Sequence, residues 1–338
     1  MAVKFNDLEI PTPIELLDRD TPGIPYVVEP WLIKGSYSIL TAQPGRMKSY
    51  FALYLAKLWL QRKDTHVLYL DRENSEATIL PRLHQLKIPR TSRFQYWADW
   101  PSSPCGPPPA TINHPHVLEG IGQKKNLLIV FDNMDKFFPV SDENSNVLMK
   151  PMGSQVRQLT HLGATVLVLH QNTKEDPKTG VSRYRGASQI IADVEVAYDM
   201  FLLENVGGTM EQPQNLIGIK CIKTRFTGIF KRYLVFDPPL GDFVMLPEET
   251  THGNCRQRAK EYFSRSERIA KIKPRIHELL IDKGHMNINA IQSNLNVGID
   301  VGDDGRVSVE AVRDCLEVGK GRLWKVEVVG SSKHYHPL

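Results

Sequence analysis

Between residues 36 and about 245 the chain alternates short apolar runs with amphipathic stretches, and that alternation leaves few folds open. The runs YSIL (37–40), HVLYL (66–70), NLLIVFD (126–132) and ATVLVLH (164–170) are rich in strand-forming residues and bounded by polar or glycine positions. Helical patterns fill the gaps, notably over 49–62 and 147–163. A strand apolar on both faces needs cover on both faces, which predicts a mainly parallel sheet between two layers of helices. Two later runs, 215–224 and 232–238, read as an antiparallel pair closing one edge of that sheet. The Pro/Gly-rich stretches 101–115 and 171–186 read as loops, and no internal repeat is present.

The pattern changes after about residue 252. A basic helix leads into 272–284, followed by helical stretches at 286–296 and 306–321 and by a two-stranded ribbon turning at Gly330–Ser331. Three helices and a hairpin predict a small winged helix-turn-helix domain. The expected organisation is an N-terminal arm (1–30), an α/β domain (31–250), and a basic linker helix with the winged-helix domain (251–338). The net charge of +4 does not by itself point to nucleic acid. Its distribution does: Arg256, Arg258, Lys260, Arg265, Arg268, Lys271, Lys273 and Arg275 face only Glu261 and Glu267 in the same stretch, a stripe suited to phosphates. On the winged-helix reading, duplex DNA meets Arg306, Arg313 and Lys320 on or beside the recognition helix, and Arg322 and Lys333 on or beside the wing.

No apolar run reaches the roughly 18 residues of a membrane span. The first twenty residues are acidic and contain proline, unlike an export signal. Cys105, Cys221, Cys255 and Cys315 are scattered, with no metal-binding spacing. The expectation is a cytoplasmic protein with reduced thiols and no membrane partner.

The most chemically informative segment is YSILTAQ running into PGRMKS and a helix. In a strand–turn–helix of this kind, backbone N–H groups and the helix dipole favour a phosphate. Lys48 then reaches the β- and γ-phosphates of ATP and the Ser49 hydroxyl ligates Mg²⁺. The segment from Ala42 through Gln43, Pro44, Gly45, Arg46 and Met47 to Lys48, Ser49 and Tyr50 forms the nucleotide cradle. It departs from the usual G-x-x-x-x-G-K-[ST] spacing, because Ala42 and Met47 stand at the two outer glycine positions. Positive φ at a non-glycine residue costs about 1 kcal/mol, which the turn must absorb or avoid. Asp132, ending an apolar strand, is placed for the magnesium shell. Glu73, just past the strand 66–70, is the candidate general base, with Asp71 as its competitor.

In order and spacing these segments resemble the RecA-like ATPase superfamily, specifically the AAA_25 group that contains the plasmid RepA-type hexameric replicative helicases. The resemblance covers roughly residues 30–240. It implies a RecA-like P-loop core, a water-polarising role for Glu73, the Walker B role for Asp132, and a γ-phosphate-sensing role for His170 within VLVLHQNTK. The family pattern often has a second His where this chain has Gln171. The segment Arg185-Gly186-Ala187-Ser188 is similar to the family's Arg-Gly-Ser-Ser. In such rings a neighbouring subunit supplies cations to the ATP; the Lys-x-Arg pattern maps to Lys223 and Arg225, with Gly228 following. The resemblance also implies that the loop carrying Lys174, Lys178, Arg183 and Arg185 lines a central channel and tracks single-stranded DNA in a hexamer. The leading expectation is thus an ATP-driven DNA helicase of a mobile element or virus. The alternatives are a non-motor ATPase acting as recombination mediator, loader or regulator, and a DNA-binding protein whose ATP site is degenerate.

Overall fold

The computed structural model describes residues 3–5, 8–10, 23–124, 126–139, 146–172, 188–210, 213–226, 228–297, 306–321 and 323–338. The chain divides into two compact units, Met1–Glu248 and Glu249–Leu338. The first begins with two small antiparallel pairs, β1 (Val3–Phe5) with β2 (Leu8–Ile10) and β3 (Tyr26–Val28) with β4 (Leu32–Ile33). The alternating region follows as β5 (Tyr37–Ala42), α1 (Lys48–Leu60), β6 (His66–Asp71), α2 (Glu76–Gln85), β7 (Phe94–Ala98) and α3 (Pro115–Gln123). It continues with β8 (Leu127–Asp132), α4 (Met134–Phe137), α5 (Asn146–His161), β9 (Thr165–Gln171) and α6 (Ser188–Asp193). Four further strands close the unit: β10 (Val196–Gly208), β11 (Pro213–Thr224), β12 (Lys231–Asp237) and β13 (Asp242–Met245).

Among the described residues, nine strands form one sheet in the order β13-β12-β11-β10-β5-β9-β8-β6-β7. The six from β10 to β7 run parallel, and β11, β12 and β13 add antiparallel beside β10. Side chains sort by the period of two. Tyr37, Ile39, Ile129, Phe131, Val166 and Val168 enter one core cluster, whereas Leu40, Leu128, Val130, Leu167 and Leu169 enter the other. Both faces are therefore dry, as continuous apolar strands require.

Three strands of the sheet, β7, β10 and the short edge strand β13, were not legible as apolar runs. β7 reads FQYWA, aromatic but half-buried at a sheet edge. In β10 the apolar run is interrupted by the half-buried Asp199, which accepts from the Thr41 hydroxyl (3.2 Å) and the Asn172 amide (2.6 Å). Helix α1, amphipathic by its sequence pattern, is buried on nearly every side, Lys48 and Ser49 included. It packs against β5, β6, β8 and β9, against the sheet's edge strand β13, and against β3 of the separate small pair, so its small and aromatic residues pack in more than one direction.

The second unit consists of α7 (Cys255–Lys283), β14 (Met286–Asn287), α8 (Ile288–Leu295), α9 (Val309–Gly319), β15 (Trp324–Val329) and β16 (Ser332–Pro337). Helix α7 continues through Pro274 as one element. The stretch 286–296, helical by its pattern, opens with two strand residues that pair with β16 before Asn287 caps α8 through Ala290 N–H. Ser308 caps α9 in the same way. The β15–β16 hairpin turns at Gly330–Ser331, where Gly330 takes φ +63°. Ile276, Leu280, Ile291, Leu295, Val312, Leu316, Trp324 and Tyr335 form a core of this unit's own. Among the described residues no helix is long and apolar enough to cross a membrane.

Candidate active site

Strand β5 sits between β9 and β10, and its carboxyl end opens into the turn Gln43–Met47 before α1 begins. Ligands of open parallel sheets collect at this end of the strands. Gly45 takes φ +76° and Met47 takes φ 58°, ψ 20°, so the turn keeps a left-handed residue immediately before α1 without a glycine there. The cost, about 1 kcal/mol, is borne by a side chain packed against the core beneath α1. Arg46 reaches away from the turn to donate to the Leu203 carbonyl (3.1 Å), fastening it to β10.

A cavity of about 200 Å³ opens beside the turn. Gly45, Lys48, Ser49, Glu73, Arg82 and Gln171 are among its lining residues. Lys48 and Ser49 are only 8% and 9% exposed, so the cation and hydroxyl are held in a partly desolvated place where their interactions are strengthened. Asp132 ends β8 in full burial. Its Oδ2 accepts the Tyr69 hydroxyl (2.9 Å) and the Asn74 amide (3.3 Å), while Oδ1 has no hydrogen-bond donor among the described residues. Burial holds the Asp132 carboxyl well above the usual carboxylate range, and the Asp71 charge adds to the rise. The Lys48 charge and the hydroxyls of Ser49 and Tyr69 offset part of it.

Glu73 is exposed at the cavity. Its Oε1 accepts from Gln171 Nε2 (3.2 Å) and its Oε2 from Asn133 Nδ2. Asp71, the competing base, is fully buried and already accepts hydrogen bonds on both oxygens. His170 lies in β9 opposite Thr41 and is buried. The cavity is lined instead by the next residue, Gln171, since successive side chains in a strand point to opposite faces.

The site contains three groups that the sequence reading did not assign. Arg82 lines the cavity from α2, 3.4 Å from Asn74 Oδ1 and with its guanidinium 5.9 Å from the Tyr50 ring. Asn74 bridges Asp71 and Asp132, and Asn133 holds Glu73. Their only sequence signal is position, a few residues beyond the two strand-ending aspartates or, for Arg82, about two helical turns further on.

Lys223 and Arg225 lie elsewhere. Thr224 pairs with Val196, which pairs with Ser38, so both cations stand at the amino end of β5, opposite the cavity. Lys223 Nζ donates to the carbonyls of Ile191 (2.7 Å) and Ala192 (2.6 Å) near the end of α6. Arg225 pairs with Glu195 at 3.8 Å. Burial, with Arg225 beside it, lowers the Lys223 pKa. In the second unit Arg306, Arg313 and Lys333 are exposed. Lys174, Lys178, Arg183, Arg185 and Arg322 lie outside the described residues.

A strand, a phosphate-type turn and a helix bearing Lys48 and Ser49, next to a strand-ending Asp132 on a mainly parallel sheet, define a RecA-like P-loop nucleotide-binding domain. The chain belongs to the AAA_25 family of AAA domains, whose model matches residues 4–177, about half of its length. The solved structure of a DnaB-like replicative helicase, determined with its interactions with primase, is similar at TM-score 0.50 and 14% identity, over 68% of this chain and 64% of that one. A second solved structure, of an ATPase domain, is similar at TM-score 0.46 and 13% identity, over 63% of this chain and 86% of that one. The chain thus spans less than two thirds of the DnaB-like helicase, and at such identity the likeness is one of fold. No curated protein matches the chain in sequence. The residues present fit a nucleotide with Mg²⁺: Asp132 keeps one buried oxygen without a donor beside Lys48 and Ser49.

Proposed function

We propose that the protein is an ATP-hydrolysing, ring-forming DNA motor, a replicative helicase of a mobile element or virus working in the cytoplasm. The observation that carries this reading is the convergence of Lys48, Ser49 and Glu73 on one cavity, with Asp132 buried next to Lys48 and Ser49. The backbone of the Gln43–Met47 turn and Lys48 hold the phosphates of ATP. Ser49 and Asp132 are the residues that would hold Mg²⁺, which supplies positive charge to the phosphate oxygens when bound. Glu73 takes a proton from the water that attacks the γ-phosphorus, and ADP departs as the bond to its β-phosphate oxygen breaks. Arg82 adds positive charge from within the same chain.

The stations of Lys223 and Arg225, away from their own cavity, suit cations offered to a neighbouring copy in a hexamer. His170 and Gln171, adjacent in β9, link the cavity to the segment after residue 172, whose Lys174, Lys178, Arg183 and Arg185 face single-stranded DNA in this reading. The second unit, with a short strand, three helices and a hairpin, is assigned as a winged helix that meets duplex DNA through Arg306, Arg313, Arg322 and Lys333. The likeness of the core's fold to a DnaB-like replicative helicase supports the motor reading.

The test is ATP hydrolysis by the full chain with and without single-stranded DNA, beside Lys48→Ala and Arg225→Ala. Stimulation by DNA that disappears in both variants is the expected result. Absence of hydrolysis under every condition would overturn the motor reading.

A further inference from the structure

Two fully buried carboxylates, Asp71 and Asp132, sit opposite each other at the carboxyl ends of β6 and β8. They are used differently. Asp132 leaves Oδ1 without a donor among the described residues. Asp71 accepts on both oxygens: Oδ1 from Glu73 N–H (2.8 Å), Asn74 N–H (2.9 Å) and Asn74 Nδ2 (3.2 Å), and Oδ2 from Asn74 Nδ2 (3.1 Å) and the Tyr96 hydroxyl. An aspartate whose side chain accepts the backbone N–H groups two and three residues on fixes that turn. The turn here carries Glu73.

We propose that Asp71 is a positioning residue for the reaction: its buried carboxylate fixes the Glu73–Asn74 turn and thereby aims the Glu73 carboxylate at the cavity. The assignment rests on the reading of Glu73 as the base. Asp71 is fully buried, is not among the residues lining the cavity, and has donors on both oxygens. The attacking water therefore meets Glu73 and not Asp71, which removes Asp71 as a competing base and gives it this role instead. Tyr96 orients Asp71 in turn. Its ring stacks on Tyr69 at 5.0 Å, and the Tyr69 hydroxyl is bonded to Asp132. Asn74 joins the same set, its amide touching both aspartates and its Oδ1 facing Arg82. Glu73 is thus held from its backbone by Asp71 and from its carboxylate by Asn133 and Gln171. Small displacements of a reacting group from its working geometry are costly in rate, on the order of 10²-fold for 1 Å.

The experiment is steady-state ATP hydrolysis and nucleotide affinity of the full chain for Asp71→Asn, Glu73→Gln, the double variant and Tyr96→Phe. Asparagine at 71 keeps the shape, but whichever way its amide turns an NH₂ group meets donors, either the Glu73 and Asn74 N–H groups of the turn or the Asn74 amide and the Tyr96 hydroxyl. The expected result is a fall in kcat of about 10²-fold for Asp71→Asn with nucleotide affinity retained, and no additional loss when it is combined with Glu73→Gln. Tyr96→Phe, which removes one hydroxyl and keeps the ring stack, should lower kcat in the same sense if Asp71→Asn cannot be purified folded. Full kcat in Asp71→Asn, or in Tyr96→Phe where that variant stands in for it, would overturn the assignment. Losses that multiply in the double variant, or a parallel loss of nucleotide affinity, would overturn it as well. A wild-type protein without hydrolysis, or a fully active Glu73→Gln, would remove the reading of Glu73 itself and this assignment with it.

Discussion

At the scale of single residues, the site combines groups that its motif predicts with groups that only the fold supplies. Lys48, Ser49, Asp132 and Glu73 follow from residue type and order along the chain. Arg82, Asn74, Asn133 and Gln171 reach the site because α2 and the ends of β8 and β9 converge there, which no local sequence pattern encodes. Burial of Asp132 carries a measurable consequence. Its folded-state pKa is raised to about 6 from an ordinary value of 3.8, so the metal-free folded protein binds a proton more tightly than the unfolded chain across that window. Stability from this group is fully present below the unfolded value and is lost as pH rises through about 6. Asp132→Asn, which cannot ionise, should remove that slope. It is expected to match the wild type near pH 4 in urea unfolding without Mg²⁺ and to exceed it near pH 8. An identical pH dependence in the two proteins would mean that Asp132 is not held as its burial indicates.

At the scale of elements, the reading of continuous apolar runs recovered β5, β6, β8 and β9, the strands buried on both faces, and the strands β11 and β12 at the antiparallel edge. It failed where a strand is half-covered or carries a satisfied polar group: β7 and β13 are the two edge strands, and β10 carries a half-buried Asp199 bonded to Thr41 and Asn172. Those partners are distant in sequence, so the interruption looks like a loop until the sheet is assembled. Helix α1 shows the opposite error. Its sequence suggests one wet face, yet Leu53, Leu55, Ala56 and Trp59 are all buried, because β3, outside the sheet, and the sheet's edge strand β13 pack on the helix as well as the central strands. Leu53→Ala should therefore behave as a core truncation, costing about 2–5 kcal/mol in urea unfolding. A loss of only a few tenths of a kcal/mol would indicate that this face of α1 is open to water. The same helix begins at Lys48 and Ser49, so nucleotide affinity should weaken along with stability in this variant.

At the scale of the whole molecule, the chain consists of two units that each bury a core, and this permits the functions to be tested apart. The second unit encloses Ile276, Leu280, Ile291, Val312, Leu316 and Trp324 without drawing on the sheet of the first. The first unit holds the entire cavity around Lys48. A chain ending at Glu248 is therefore expected to keep ATP binding while losing affinity for duplex DNA. The size of that loss is set by electrostatics. Each phosphate neutralised by Lys or Arg releases counterions, so the slope of log affinity against log salt reports the number of phosphate contacts. The second unit carries exposed Arg306, Arg313 and Lys333 together with the basic positions of α7, among them Arg256, Lys260, Arg268 and Lys271. The full chain should show a steep salt dependence on duplex DNA and the truncated chain a shallow one. Arg313→Ala in the full chain should weaken binding and reduce the slope by roughly one contact. If the chain ending at Glu248 bound duplex DNA as tightly as the full protein, with the same salt slope, the phosphate contacts would belong to the first unit. The basic face of α7 would then be a solvated surface, and the winged-helix assignment would fall.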